Sequence, residues 1–159
     1  MKTKKFNKSL YKEATAKVEK VMIPWLQAEG YTDIDTEENY GVDIRCMKDG
    51  TPHYFELELN MGWKSPEWPK HFELKIPYRK KKVVDKWEDG ELTFVTFSLN
   101  CTHAWFMDGV VVKESPVETR DNRYVKGESF YIIDQDKVEL KQMDVSYDKD
   151  LLINSKYPS

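Results

Sequence analysis

The stretch from Gly41 to Asn60 limits the fold more than any other, because it is two runs of alternating apolar and polar residues joined by Asp49-Gly50. A two-residue type I′ turn needs positive φ at both central positions, which Asp-Gly tolerates, so the dipeptide predicts a β-hairpin. With Asp49 and Gly50 at the turn, Lys48 faces Thr51, Cys46 faces His53, Ile44 faces Phe55 and Asp43 faces Glu56. Side chains alternate across a strand. Phe55, Leu57 and Leu59 therefore share one face with Val42, Ile44 and Cys46, while Asp43, Glu56 and Glu58 share the other.

Like charges directly opposite each other on a ladder destabilise it unless something neutralises them. Two readings follow. In the first, the acidic face is a solvated outer face of a half-exposed sheet, and Arg45, diagonal to Glu56, does the neutralising. In the second, a divalent cation does it. Mg²⁺ is typically held by one or two carboxylates together with waters and substrate phosphate oxygens, which an Asp/Glu pair on a sheet can offer.

A chain of 159 residues with 40% hydrophobic and 13% aromatic content can bury one core, so residues 1–159 read as a single domain. No apolar run reaches the ~20 residues needed to span a bilayer. The basic start from Met1 to Lys8 is not followed by the apolar stretch of a signal peptide, which predicts a cytoplasmic protein. Cys46 and Cys101 lack C-x-x-C spacing and read as reduced strand residues. The net charge of −3 argues against a protein coated in basic residues, though a local basic strip would suffice to bind phosphate.

In chain order, residues 8–29 read as a helix with Leu10, Ala14, Val18, Val21 and Trp25 on one stripe, Ser9 as its cap, a kink at Pro24 and a stop at Gly30. Glu13, on the flank of that stripe, is placed to point a carboxylate toward the hairpin; its alternative is a solvated helix side chain. Residues 33–38 read as a short strand or loop. Residues 61–72 form an aromatic, proline-bearing loop, and Phe72 to Val84 alternates like a strand that runs into a basic cluster. From Lys64 to Lys86 there are eight Lys or Arg against three acids. Interleaved with Trp63, Trp68, Phe72 and Tyr78, they have the chemistry to contact phosphates and stack on unpaired bases; a solvated charged face is the plainer reading.

Residues 92–99 and 103–113 read as central strands, linked by Asn100-Cys101-Thr102, with a turn at Asp108-Gly109. Ser129 to Ile133 reads as a further strand and the chain from Asp144 as a short packed tail. His53, His71 and His103 lack H-x-x-x-H spacing. The sequence also contains no G-x-S-x-G elbow, phosphate loop or dinucleotide-binding glycine pattern.

A helix, a strand bearing Asp43, a return strand bearing Glu56-Leu57-Glu58, a basic segment and further apolar strands resemble, over residues 8–113, the order of the PD-(D/E)XK nuclease superfamily. The Ile76-Pro77-Tyr78-Arg79-Lys80 stretch is similar to uncharacterised phage-encoded members. The resemblance implies an α+β fold of the restriction endonuclease type, a mixed β-sheet core flanked by helices. It further implies Mg²⁺ or Mn²⁺ held by Asp43 and Glu56 and DNA as the partner; the basic strip then offers Lys64, Lys75, Arg79, Lys80 and Lys81 to its phosphates, the composition predicts no membrane, and a homodimer is one assembly to test. The host would be a bacterial or phage-infected cell.

The motif departs from the family at its lysine, where this chain has Glu58. Glu58 would act as a third metal ligand or as a base, with Gly41 opposite leaving it room. Alternatively, an ammonium is supplied by Lys64, Lys75 or Lys80. The competing expectation is a non-cleaving module that binds nucleic acid or protein on the same scaffold, and the blandest is a structural domain with no site.

Overall fold

Asp49 and Gly50 adopt φ of 52° and 78°, the left-handed pair that a type I′ turn requires, and close a hairpin between β2 (Ile44–Lys48) and β3 (Thr51–Leu59). The computed structural model of the chain describes residues 8–37, 41–87, 91–121 and 127–143. The register is the one the turn dictates, with Ile44 opposite Phe55, Cys46 opposite His53 and Lys48 opposite Thr51. β1 (Thr32–Asp35) pairs with the outer edge of β2.

β3 is longer than β2, and its other edge pairs in parallel with β5 (Leu92–Phe97), from Tyr54 opposite Leu92 to Leu59 opposite Phe97. A parallel pair needs a crossover connection rather than a tight turn. Here the crossover contains the aromatic loop, β4 (Lys75–Pro77), a 3-10 turn (Tyr78–Lys80) and α2 (Lys81–Lys86). β6 (His103–Asp108) and β9 (Glu139–Gln142) complete a six-stranded mixed sheet in the order β1-β2-β3-β5-β6-β9. β4 belongs to a second, antiparallel sheet with β7 (Val117–Arg120) and β8 (Glu128–Ile132), in the order β4-β8-β7. The architecture is α+β.

Strand alternation gives the large sheet two apolar faces. Phe55, Val95, Phe97, Ala104 and Phe106 meet α1 (Lys8–Ala28), which buries Val18, Val21, Met22 and Leu26 against them. Leu92, Phe94, Trp105 and Met107 point the other way, toward Ile76, Val84 and Tyr131 of the crossover and second sheet. Gly30 (φ 94°) stops α1 in a Schellman arrangement: the Tyr31 N–H donates to the Leu26 carbonyl at 3.0 Å and the Gly30 N–H to Gln27 at 3.1 Å. The helix runs through Pro24, and Ser9 lies inside it.

Several expectations are corrected. Only Lys75–Pro77 of the 72–84 segment is a strand; the basic cluster turns through the 3-10 element into α2, which buries Val84. The 103–113 run is a strand only to Asp108. Asp108 is the N-cap of α3 (Gly109–Glu114), its carboxylate accepting the Val110 N–H at 2.9 Å, so β-branched composition misled where a cap decided. Val42 does not join Ile44 and Cys46, because the chain bends through residues 41–43 before β2 begins and Val42 packs in the opposite core. The tail from Asp144 lies outside the described residues. No described helix is long and apolar enough to cross a membrane.

Candidate active site

Asp43 ends the hairpin ladder with its side chain. The last paired residues are Ile44 and Phe55; beyond them the Asp43 carboxylate accepts the Leu57 N–H at 2.7 Å. Its orientation is thereby fixed, with the carboxylate against Glu56, whose side chain hydrogen-bonds it. Glu56 is 7% exposed. Burial first, and then the neighbouring Asp43 carboxylate, push the Glu56 carboxyl up to about 8, only partly offset by the Lys80 ammonium. Near neutral pH Glu56 therefore favours its protonated form, hydrogen-bonded to Asp43. This is the like-charge conflict expected from the hairpin, resolved by protonation.

Glu58 lies two residues on, on the same face. Its partner in register is Thr96 of β5, whose hydroxyl donates to the Glu58 carboxylate at 3.4 Å. Glu58 reaches solvent through the cleft, yet protein surrounds it elsewhere, and this loss of water raises its proton affinity. Lys80 and Arg79 oppose that effect by their charge.

The cation beside Glu56 comes from the crossover. Lys80 Nζ stands 3.4 Å from Glu56 Oε1, across 24 residues of sequence. The physical reason is topological: a connection between parallel neighbours must pass over one face of the sheet, and this one passes over the face carrying Glu56 and Glu58. Arg79, one residue earlier, is exposed and 3.7 Å from Glu128 of β8. Asp43, Glu56, Glu58, Thr96, Arg79 and Lys80 line one cleft of about 640 Å³, whose volume lies in the range of small-molecule sites.

The remaining sequence candidates are not among the residues lining that cleft. Lys75 lies over the Phe130 ring at 4.6 Å, Lys81 pairs with Asp85 one helical turn on, and Lys64 is exposed on the aromatic loop. Glu13 is exposed on α1, while the adjacent Ala14 and Thr15 form the cleft wall. Two aromatic residues of the loop, Trp63 and Trp68, pack inward, whereas Phe72 is exposed. Trp63 is fully buried and donates its indole N–H to the Glu67 carbonyl at 3.1 Å, and Trp68 packs edge-on against Trp63, Phe72 and Trp105. Thr96 was not singled out by sequence. Nothing local marks it, since its role depends on the parallel pairing of β3 with β5.

Among the described residues no three His, Cys, Asp or Glu side chains converge to hold a metal by themselves. The donor set that does converge is two carboxylates, Asp43 and Glu56. That set suits Mg²⁺ or Mn²⁺, hard cations that keep water and take substrate phosphate oxygens as further ligands. Comparisons with protein-family models, curated proteins and solved structures give no match, so the family resemblance rests on these residues alone.

Proposed function

We propose that the chain is a Mg²⁺- or Mn²⁺-dependent nuclease that hydrolyses phosphodiester bonds of DNA, working in the cytoplasm. The observation that carries this reading is the contact of Asp43 with Glu56 and of Lys80 with Glu56, from a strand end, a return strand and a crossover, in a cleft that Glu58 also lines. In the resembled superfamily an ammonium accompanies the carboxylates; here Lys80 supplies one from the crossover, while Glu58 holds the motif position.

Asp43 and Glu56 would hold the cation, which when bound lowers the pKa of water and offsets charge on the phosphoryl oxygens. Holding a cation there would require Glu56 to give up its proton. Glu58, with its raised proton affinity, accepts a proton from the attacking water. The water oxygen bonds to phosphorus as the P–O ester bond breaks, and the departing oxygen takes a proton from solvent. Lys80 stands beside the growing negative charge, and Arg79 neutralises an adjacent phosphate at the cleft mouth. Incubating the purified protein with DNA in Mg²⁺, Mn²⁺ or EDTA tests the reading. Cleavage confined to the metal-containing samples supports it, and intact DNA in all three overturns it.

A further inference from the structure

Given the nuclease reading above, the cleft mouth contains a carboxylate that an incoming phosphate has to displace. We infer that Glu128 regulates the site as a competing counterion: it holds Arg79 in the free protein and yields that guanidinium to a backbone phosphate of the nucleic acid. The second sheet places it there. β4 and β8 pair antiparallel as far as Pro77 opposite Phe130. Two residues further along each chain stand Arg79 and Glu128, where the crossover has turned into the 3-10 element and the two side chains meet. Arg79 lines the cleft, and both Arg79 and Glu128 act by their charge on Glu58, so the pair lies within electrostatic reach of the cleft carboxylates.

The geometry of the pair makes it displaceable. Arg79 meets Glu128 through Nε at 3.7 Å, beyond hydrogen-bond range, and the Arg79 side chain is 68% exposed. Ion pairs of that kind are held weakly in water. A phosphate offers a guanidinium two parallel N–H bonds in place of one distant charge. Arg120, opposite Glu128 on the other side of β8, shows the contrast. Its Nε and Nη2 donate to Glu73 at 2.9 and 2.8 Å and Nη2 also donates to Glu118 at 2.7 Å, so that guanidinium is committed. Lys81 is likewise engaged, by Asp85. Of these three cations Arg79 has the loosest partner, and Glu128 opposes a phosphate there by neutralising it.

The test is fluorescence anisotropy of a labelled DNA oligonucleotide in EDTA and about 0.1 M salt, where exposed charges more than about 10 Å apart are largely screened. Wild type, Glu128→Gln, Arg79→Gln and the double variant are compared, and cleavage of the same DNA is then followed in Mn²⁺. Glu128→Gln should bind at least about threefold tighter than wild type, and Glu128→Ala should repeat the gain. In the Arg79→Gln background the same change should alter affinity by less than about 1.5-fold, because the competition acts through Arg79. Loss of a plain repulsive surface charge would tighten both backgrounds equally, and loss of a carboxylate that aims Arg79 at phosphate would weaken binding. Either result overturns the inference, as does unchanged affinity in Glu128→Gln or binding by neither that variant nor wild type. Intact DNA in Mn²⁺ with the coupling preserved overturns the nuclease reading and leaves the counterion competition standing.

Discussion

Lys80 Nζ lies 3.4 Å from Glu56 Oε1, and this pairing joins the crossover to the acidic edge of the hairpin. The Lys80 side chain is 35% exposed and Glu56 takes up a proton near neutral pH, so the contact contributes at most about 1 kcal/mol to stability. Its larger effect is on the charge of the site. Lys80→Met is expected to slow metal-dependent cleavage by about 10²-fold or more while moving the melting temperature little. Single-turnover rates beside thermal melts measure both. A rate within threefold of wild type removes Lys80 from the chemistry.

Glu56 makes the metal-free protein sensitive to pH. Its folded-state pKa is raised to about 8, above the unfolded carboxyl value, so the folded state binds the extra proton between about 4.5 and 8. Its stabilising contribution is therefore complete below the unfolded value and lost as pH rises through the folded one, with a slope of up to ~1.4 kcal/mol per pH unit. Denaturant melts in EDTA from pH 5 to 8.5 should show this fall, and Glu56→Gln should flatten it. An unchanged slope in the variant would assign the pH dependence to other groups.

A cation competes with that proton. Mn²⁺ or Mg²⁺ should stabilise the fold by RT ln(1 + [L]/Kd), about 2.7 kcal/mol at 100 times Kd, with affinity increasing up to about pH 8. Asp43→Asn keeps an oxygen to accept the Leu57 N–H but loses the charge, so it should remove most of the metal response. In EDTA the same change should be neutral or stabilising, because it relieves repulsion within the pair. Superimposable melting curves with and without metal for the wild type would leave the pair as a charged structural contact.

Salt dependence separates the cleft cations from the rest of the basic segment. Removing Arg79 should lower the slope of log affinity against log salt by ~0.7 on a single strand, the share of one phosphate. Lys75→Ala and Lys81→Ala should leave it unchanged, since their side chains are directed onto Phe130 and Asp85. Equal losses from all three would restore a continuous basic strip.

Trp63 tests whether the aromatic loop is structure or binding surface. It is fully buried, and Trp63→Ala should cost roughly 3–5 kcal/mol of stability. Trp63→Phe should keep nucleic-acid affinity within twofold. A large loss of affinity at full stability would contradict the packing role.

The hairpin was legible because one dipeptide sets its turn, and the turn sets every pairing from Ile44–Phe55 to Lys48–Thr51. Asp43 and Glu56 were legible as neighbours for the same reason. Thr96 and the position of Lys80 were not, because both depend on β3 lying parallel to β5, a pairing between residues some 38 positions apart that no local pattern encodes. The basic run from Lys64 to Lys86 misled in a different way. Composition placed its charges together, whereas the turn at Tyr78–Lys80 sends successive side chains to Glu128, Glu56 and Asp85. The aromatic residues around Trp68 show a similar limit, since their spacing suits base stacking and core packing equally.

The central claim is that Asp43 and Glu56 hold the cation that drives phosphodiester cleavage. Its most direct measurement is the rate at which wild type and Asp43→Asn cleave a labelled single-stranded oligonucleotide in Mn²⁺, with an EDTA control and a melting curve of each protein. The predicted result is cleavage by the wild type in Mn²⁺ alone and a loss of at least ~10²-fold in a variant that remains folded. Cleavage that persists in EDTA, cleavage undiminished in Asp43→Asn, or no cleavage by the wild type would contradict it.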